Sequence, residues 1–93
     1  MRKYEMTFIF QPQEDVYSKV KNSLTEDIKK HELTVEKEDD MGVRDLAYEV
    51  ENQKKGHYVF YLITADPAKI KDFERTVRLK QGILKYLFVK LEE

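Results

Sequence analysis

The chain has no cysteine among its 93 residues, and only two prolines and three glycines. Without thiols there can be no disulfide framework and no thiolate chemistry, which fits a reducing compartment. No stretch rich in Pro, Gly or Ser marks a linker, and there is no repeat or low-complexity segment. No apolar run approaches the ~20 residues that a helix needs to cross a bilayer. The opening residues, Met1-Arg2-Lys3-Tyr4-Glu5, are not followed by the apolar core of a secretory leader. The expectation is a soluble cytoplasmic protein without membrane association, folded as one domain over residues 1–93. A strong excess of one charge is also missing. The net charge is −1, which gives the whole chain no general pull toward nucleic acid.

What the chain does have is bulk and segregated charge. Six Tyr and five Phe supply core material. Residues 13 to 56 hold twelve acids and eight bases, whereas residues 67 to 91 hold seven bases and two acids. That split predicts a basic end on an acidic body, although charged helix faces near a C-terminus are common in themselves.

Residues 4 to 10 alternate Tyr4, Met6, Phe8 and Phe10 with smaller or polar neighbours, a period of two that predicts a strand. Pro12 stops it. Val16, Val20, Leu24 and Ile28, flanked by Tyr17, recur at helical spacing and predict a helix over 14 to 31. Glu14 and Asp15 at its start and Lys29, Lys30 and His31 at its end suit the macrodipole. Residues 33 to 50 predict a long second strand, bent or bulged at Gly42, with Leu46, Tyr48 and Val50 as its inward stripe. Residues 51 to 56 read as a polar turn. A third strand follows from His57 to Thr64, apolar on both faces. Asp66-Pro67 is a capped helix start, with Ile70, Phe73 and Val77 inward to about Lys80, and Gln81-Gly82 stops that helix. Residues 83 to 91 form the last strand.

The order β-α-β-β-α-β predicts an α+β, ferredoxin-like sandwich: a four-stranded antiparallel sheet with two helices on one face. The other face is then bare. Tyr58, Phe60 and Leu62 fall on it, and an exposed apolar face marks a partner surface. The second strand lies at an edge, so Arg44 and Asp45 sit where another chain can approach, or where charge blocks unwanted pairing.

Catalytic chemistry finds no purchase. His31 and His57 stand in no triad, paired-His or metal spacing. Residues 36 to 40 lack the spacing of a calcium loop. Gln11-Pro12-Gln13 lacks the glycine-rich, arginine-bearing loop of the small phosphatases of this fold. The expectation is no enzyme, no cofactor, no metal and no small-molecule substrate. Basic residues and aromatics, the parts of an RNA surface, are both present.

Several stretches together resemble the bacterial small-subunit ribosomal protein six family. They are Met1-Arg2-Lys3-Tyr4-Glu5, Gly42-Val43-Arg44-Asp45-Leu46-Ala47-Tyr48-Glu49-Val50, Gly56-His57-Tyr58, and Arg78 with Ile83-Leu84-Lys85. The likeness runs from residue 1 to about 91. Val50 stands where isoleucine is usual, and Leu84 where some members have arginine. The resemblance implies a structural constituent of the small subunit that binds the central domain of 16S ribosomal RNA together with small-subunit ribosomal protein eighteen. The RNA contacts expected on that basis are Arg2, Lys3, Arg44, Arg75, Arg78, Lys80, Lys85 and Lys90. Partner contacts are expected at Arg44, Asp45, Tyr58, Phe60 and Leu62. Two other classes stay open: a non-ribosomal interaction module using the bare sheet, and a small-ligand-binding domain. The latter would need a glycine-containing loop after the first strand.

Overall fold

In the computed structural model, which describes residues 1–91, the elements run in the expected order. They are β1 (Arg2–Phe10), α1 (Glu14–Lys30), β2 (Thr34–Val50), β3 (Gln53–Ala65), α2 (Pro67–Arg78) and β4 (Ile83–Lys90). The sheet order is β2-β3-β1-β4, and β1 pairs antiparallel with both β3 and β4. This is the ferredoxin-like arrangement.

The core lies between the sheet and the two helices. Met6, Phe8 and Phe10 of β1 and Val59 and Ile63 of β3 are fully buried, with Tyr61 nearly so. Leu24 and Ile28 of α1 and Ile70, Phe73 and Val77 of α2 close over them. Phe8 packs edge-on against Tyr61, Phe73 and Phe88, geometry that suits the ring quadrupoles. The period-two reading of β1 and β3 therefore holds, because one face of each strand is covered by helices.

Local signals explain the boundaries. The Asp66 carboxylate accepts from the Ala68 N–H at 2.9 Å, satisfying an orphan donor at the start of α2, and Pro67 needs none. The ladder between β2 and β3 shifts register between Asp40 and Gly42, where Gly42 takes φ +77°, so the predicted bulge is present. Gly82, at φ +94°, ends the α2 connection with no room for a side chain: a Cβ there would meet Val20 Cγ2 at 2.4 Å.

The hairpin differs from expectation. The turn is not residues 51 to 56 but two residues, Glu51 and Asn52, both left-handed at φ 47° and 65°. Positive φ at both central residues is the two-residue loop whose twist matches a hairpin. Gln53 to Gly56 continue the strand instead.

Candidate functional site

Pairing fixes which side chains share the helix-free face. Opposed residues of neighbouring strands point the same way. Three rows cross this face: Lys85-Ile9-Tyr58, Leu87-Thr7-Phe60-Asp39 and Val89-Glu5-Leu62-Lys37. Tyr58, Phe60 and Leu62 are half-buried there, while Leu87 is 62% exposed and Val89 40%. The predicted apolar stripe thus continues across the sheet to β4. No helix covers it.

Lys3 opposes Thr64 and joins the same face at its far end, whereas Arg2 opposes the buried Ala65 and lies on the helix side. Lys90 opposes Tyr4, also on the helix side. These three bases share one end of the sheet, since the Leu91 N–H donates to the Lys3 carbonyl at 2.9 Å. Arg75, Arg78 and Lys80 belong to the opposite end, where α2 finishes and Gln11 N–H donates to the Gly82 carbonyl. Eight residue steps of β1 separate the ends, roughly 26 Å. The expected basic surface is therefore two clusters rather than one.

Their availability differs. Arg75 is 71% exposed and only loosely paired with Asp72 at 3.9 Å. Arg78 is 65% exposed, 3.6 Å from Glu74. Lys80 is tied inward: its ammonium lies 2.7 Å from Asp27 Oδ2 and donates to Ser23 Oγ at 2.7 Å, with a side chain 15% exposed. Its charge clamps α2 to α1. Lys85 donates to the Tyr48 hydroxyl at 2.7 Å and lies over that ring.

Arg44 and Asp45 are exposed on the β2 edge. Arg44 Nε donates to the Met41 carbonyl at 3.2 Å, and Asp45 pairs at 3.7 Å with Lys55, its register partner. The edge itself is interrupted. Register shifts occur between Val35 and Lys37, Asp40 and Gly42, and Asp45 and Val50. Such bulges and edge charges deter strand addition by another chain.

The expected inward stripe of β2 needs correcting. Tyr48 is 63% exposed, and Leu46 and Val50 are only half-buried. The shift after Asp45 turns this segment off the core. Leu46, Ala47, Tyr48 and Val50 instead roof a cleft of about 100 Å³ over Ile9, Tyr58, Leu84 and Lys85. The tip of edge strand β2 thereby reaches β4, at the opposite edge.

One cluster escaped sequence reading. His57 is buried, stacks on Tyr17 at 3.6 Å between ring centres, and lies 2.6 Å from Asp40 through Nε2. Asp40 also accepts from the Tyr17 hydroxyl at 3.0 Å and the Gly42 N–H at 3.0 Å. Partial burial opposes ionisation of Asp40. The hydrogen bonds from His57, Gly42 and Tyr17 and the attraction of His57 outweigh it and hold the carboxyl below its usual range. Burial is the main cause that pushes the Tyr17 hydroxyl up, helped by Asp40 and opposed by Lys21. The group fastens α1 to the β2 bulge. Its only signal in sequence is a histidine opening a strand, opposite an acidic run. Among the described residues, no group of three or more His, Asp or Glu is placed to hold a metal.

The chain is thus a ferredoxin-like sandwich with one sheet face free of helices, apolar rows across that face and basic residues at both ends of the sheet. The chain belongs to the Ribosomal protein S6 family, whose pattern it matches over residues 3–90. It is 38% identical to small ribosomal subunit protein bS6 of Treponema denticola over the full length of both chains. It is 37% identical to the bS6 protein of Helicobacter pylori, over 99% of this chain and 66% of that one. The crystal structure of 30S ribosomal protein S6 from Thermotoga maritima superposes with a TM-score of 0.87 at 22% identity, covering 97% of this chain and 87% of that one. The C-terminal domain of the MgtC protein from Mycobacterium tuberculosis has the same fold at a TM-score of 0.59 and 15% identity, covering 99% of this chain and 89% of that one. The fold alone does not set the role.

Proposed function

We propose that the chain is a structural, non-catalytic constituent of the small (30S) subunit in the bacterial cytoplasm, where it binds the central domain of 16S ribosomal RNA together with small-subunit ribosomal protein eighteen. The match to the S6 family across residues 3–90 carries this reading. Charge supports the paired mode. Affinity for RNA grows with the phosphates neutralised, and a chain of net charge −1 neutralises few in total. A basic protein partner supplies the rest.

The RNA contacts are assigned to two groups. Arg2, Lys3 and Lys90 form one, and Arg75, Arg78 and Lys85 the other, with Arg44 at the β2 edge. Lys80 drops out of this set because its ammonium is held by Asp27 and Ser23. The protein partner is assigned to the helix-free face, through Tyr58, Phe60 and Leu62, with Arg44 and Asp45 flanking it.

Binding to a central-domain RNA fragment at physiological salt tests the pair. The chain alone is expected to bind weakly, and addition of protein eighteen to raise affinity steeply. Tight, salt-resistant binding by the lone chain would overturn the paired mode. Absence from washed small subunits would overturn the ribosomal reading altogether.

A further inference from the structure

The tip of the β2–β3 hairpin is held over the helix-free face by little. Between Asp45 and Val50 the register slips, so residues 46–49 have no β3 partners in the ladder. The cleft beneath them is not filled. Among the described residues, the polar contact from the tip to β4 is Lys85 to Tyr48, an exposed pair. The contact draws the two titrations apart: hydrogen bonding to Tyr48 holds the Lys85 ammonium up, and hydrogen bonding from Lys85 holds the Tyr48 phenol down. Segments with few buried contacts and unpaired backbone open first.

We propose that residues 46–52 are a strap whose catch is Lys85, and that a phosphate of bound RNA opens it by taking Lys85 from Tyr48. This rests on the RNA-binding reading above. The exchange follows from donor chemistry. A neutral phenol gives the ammonium one acceptor and a ring face, whereas a phosphate oxygen carries negative charge and adds an ion–ion attraction that the phenol lacks. The ammonium has three N–H donors, so the exchange requires the phosphate to draw it beyond reach of the Tyr48 hydroxyl, now 2.7 Å away. Release of the strap bares Ile9, Tyr58 and Leu84, the floor of the cleft. Tyr58 alternates along β3 with Phe60 and Leu62 on that same face, so the opened floor extends the partner surface. RNA contact at Lys85 and protein docking on the sheet then favour each other, and by linkage each to the same degree.

Amide hydrogen exchange in the full chain, free of RNA, reads the catch by itself. Tyr48→Ala and Lys85→Gln should each speed exchange at the ladder-paired residues flanking the strap, Asp45 with Lys55 and Val50 with Gln53, roughly two- to fivefold, the scale of an exposed cation–π contact. Tyr48→Phe keeps the ring and should give a smaller rise, and Lys90→Gln none. Unaltered exchange in both Tyr48→Ala and Lys85→Gln overturns the strap. Binding to the central-domain fragment in the presence of protein eighteen reads the second step. Lys85→Gln should bind more weakly, while Tyr48→Ala should bind as tightly as the unaltered chain or up to about fivefold tighter, because no strap remains to displace. Weaker binding by Tyr48→Ala overturns the competition for Lys85. An unaltered chain that binds no RNA removes the proposed function and its phosphate step together, while the exchange measurement still decides the catch.

Discussion

Gly42 and Gly82 share a positive φ but differ in surroundings. Nothing lies within 4 Å of a Cβ built on Gly42, whereas at Gly82 that atom would strike Val20. Gly42→Ala therefore pays only for the left-handed backbone, about 1–2 kcal/mol. Gly82→Ala pays for the backbone and for displacing Val20 as well, so it should cost at least about 1 kcal/mol more. Urea midpoints of the two variants check the order, and equal losses would show that Val20 yields freely. Glu51 offers the reverse case, since a Glu at φ 47° carries a cost that glycine does not. Glu51→Gly should stabilise the chain by up to about 1 kcal/mol, read as a raised midpoint at unchanged slope. The turn was placed in the sequence but drawn too long, because Glu51-Asn52 lacks the glycine that usually marks a two-residue loop. The polar run Lys54-Lys55 looked like loop for the same reason. At Asp66-Pro67 and Gly42, by contrast, local chemistry and backbone agree, and both were legible.

Each helix meets its neighbours through polar fasteners as well as through the core. Lys80 to Asp27 and Ser23 joins α2 to α1, Lys21 to Glu38 joins α1 to β2, and Asp40 gathers Tyr17 and His57 at the bulge. Truncating Lys80 leaves the half-buried Asp27 without its cation. Lys80→Ala should therefore cost about 1–3 kcal/mol in a urea titration, yet leave the salt dependence of RNA binding as it was. A flatter salt slope would return Lys80 to the RNA surface. The Asp40 fastener has a pH signature. Its folded-state pKa is depressed, so its contribution is present in full above the unfolded value of about 3.9 and fades as pH falls through the folded value. Stability measured from pH 7 down to pH 3 should fall below about pH 4, and Asp40→Asn should flatten that part of the curve. An unchanged acid limb would assign it to other carboxylates. Sequence periodicity exposed the helix faces but not these fasteners. Asp27 lies on α1 and Lys80 just past the end of α2, far apart in the chain, and only the packing of α1 against α2 brings them together. Tyr48 was misread for a related reason: period-two reading assumes an unbroken register, and the shift after Asp45 breaks it.

Across the whole molecule, the basic residues grouped by sequence separate into two ends of the sheet. Arg2 and Lys3 are neighbours of Lys90 by strand pairing, though nearly the whole chain lies between them. Arg75 and Arg78 point from the other end. If both ends meet phosphate, the variants Lys3→Ala with Lys90→Ala and Arg75→Ala with Arg78→Ala should each flatten the salt slope by roughly two. The combined variant should show the sum, because sites this far apart act independently. One pair with no effect on the slope would confine RNA to a single end. The fold order was legible because each element carries its own period and punctuation. The charged surface was not, since it is assembled by long-range pairing.

That long-range pairing also sets a timetable. β1 emerges first during synthesis, yet its hydrogen-bonding partners are β3, which ends at Ala65, and β4, which ends at Lys90. At about 5–20 residues per second, Phe8 and Phe10 wait several seconds before both flanks exist. The first of the four strands to be made is one of the two internal strands of the finished sheet, and it is not flanked on both sides until β4 is complete. A nascent chain halted after α2 would carry β1 with one edge open and its aromatic face part-covered, and would be a client for any factor that shields apolar strands at the exit site.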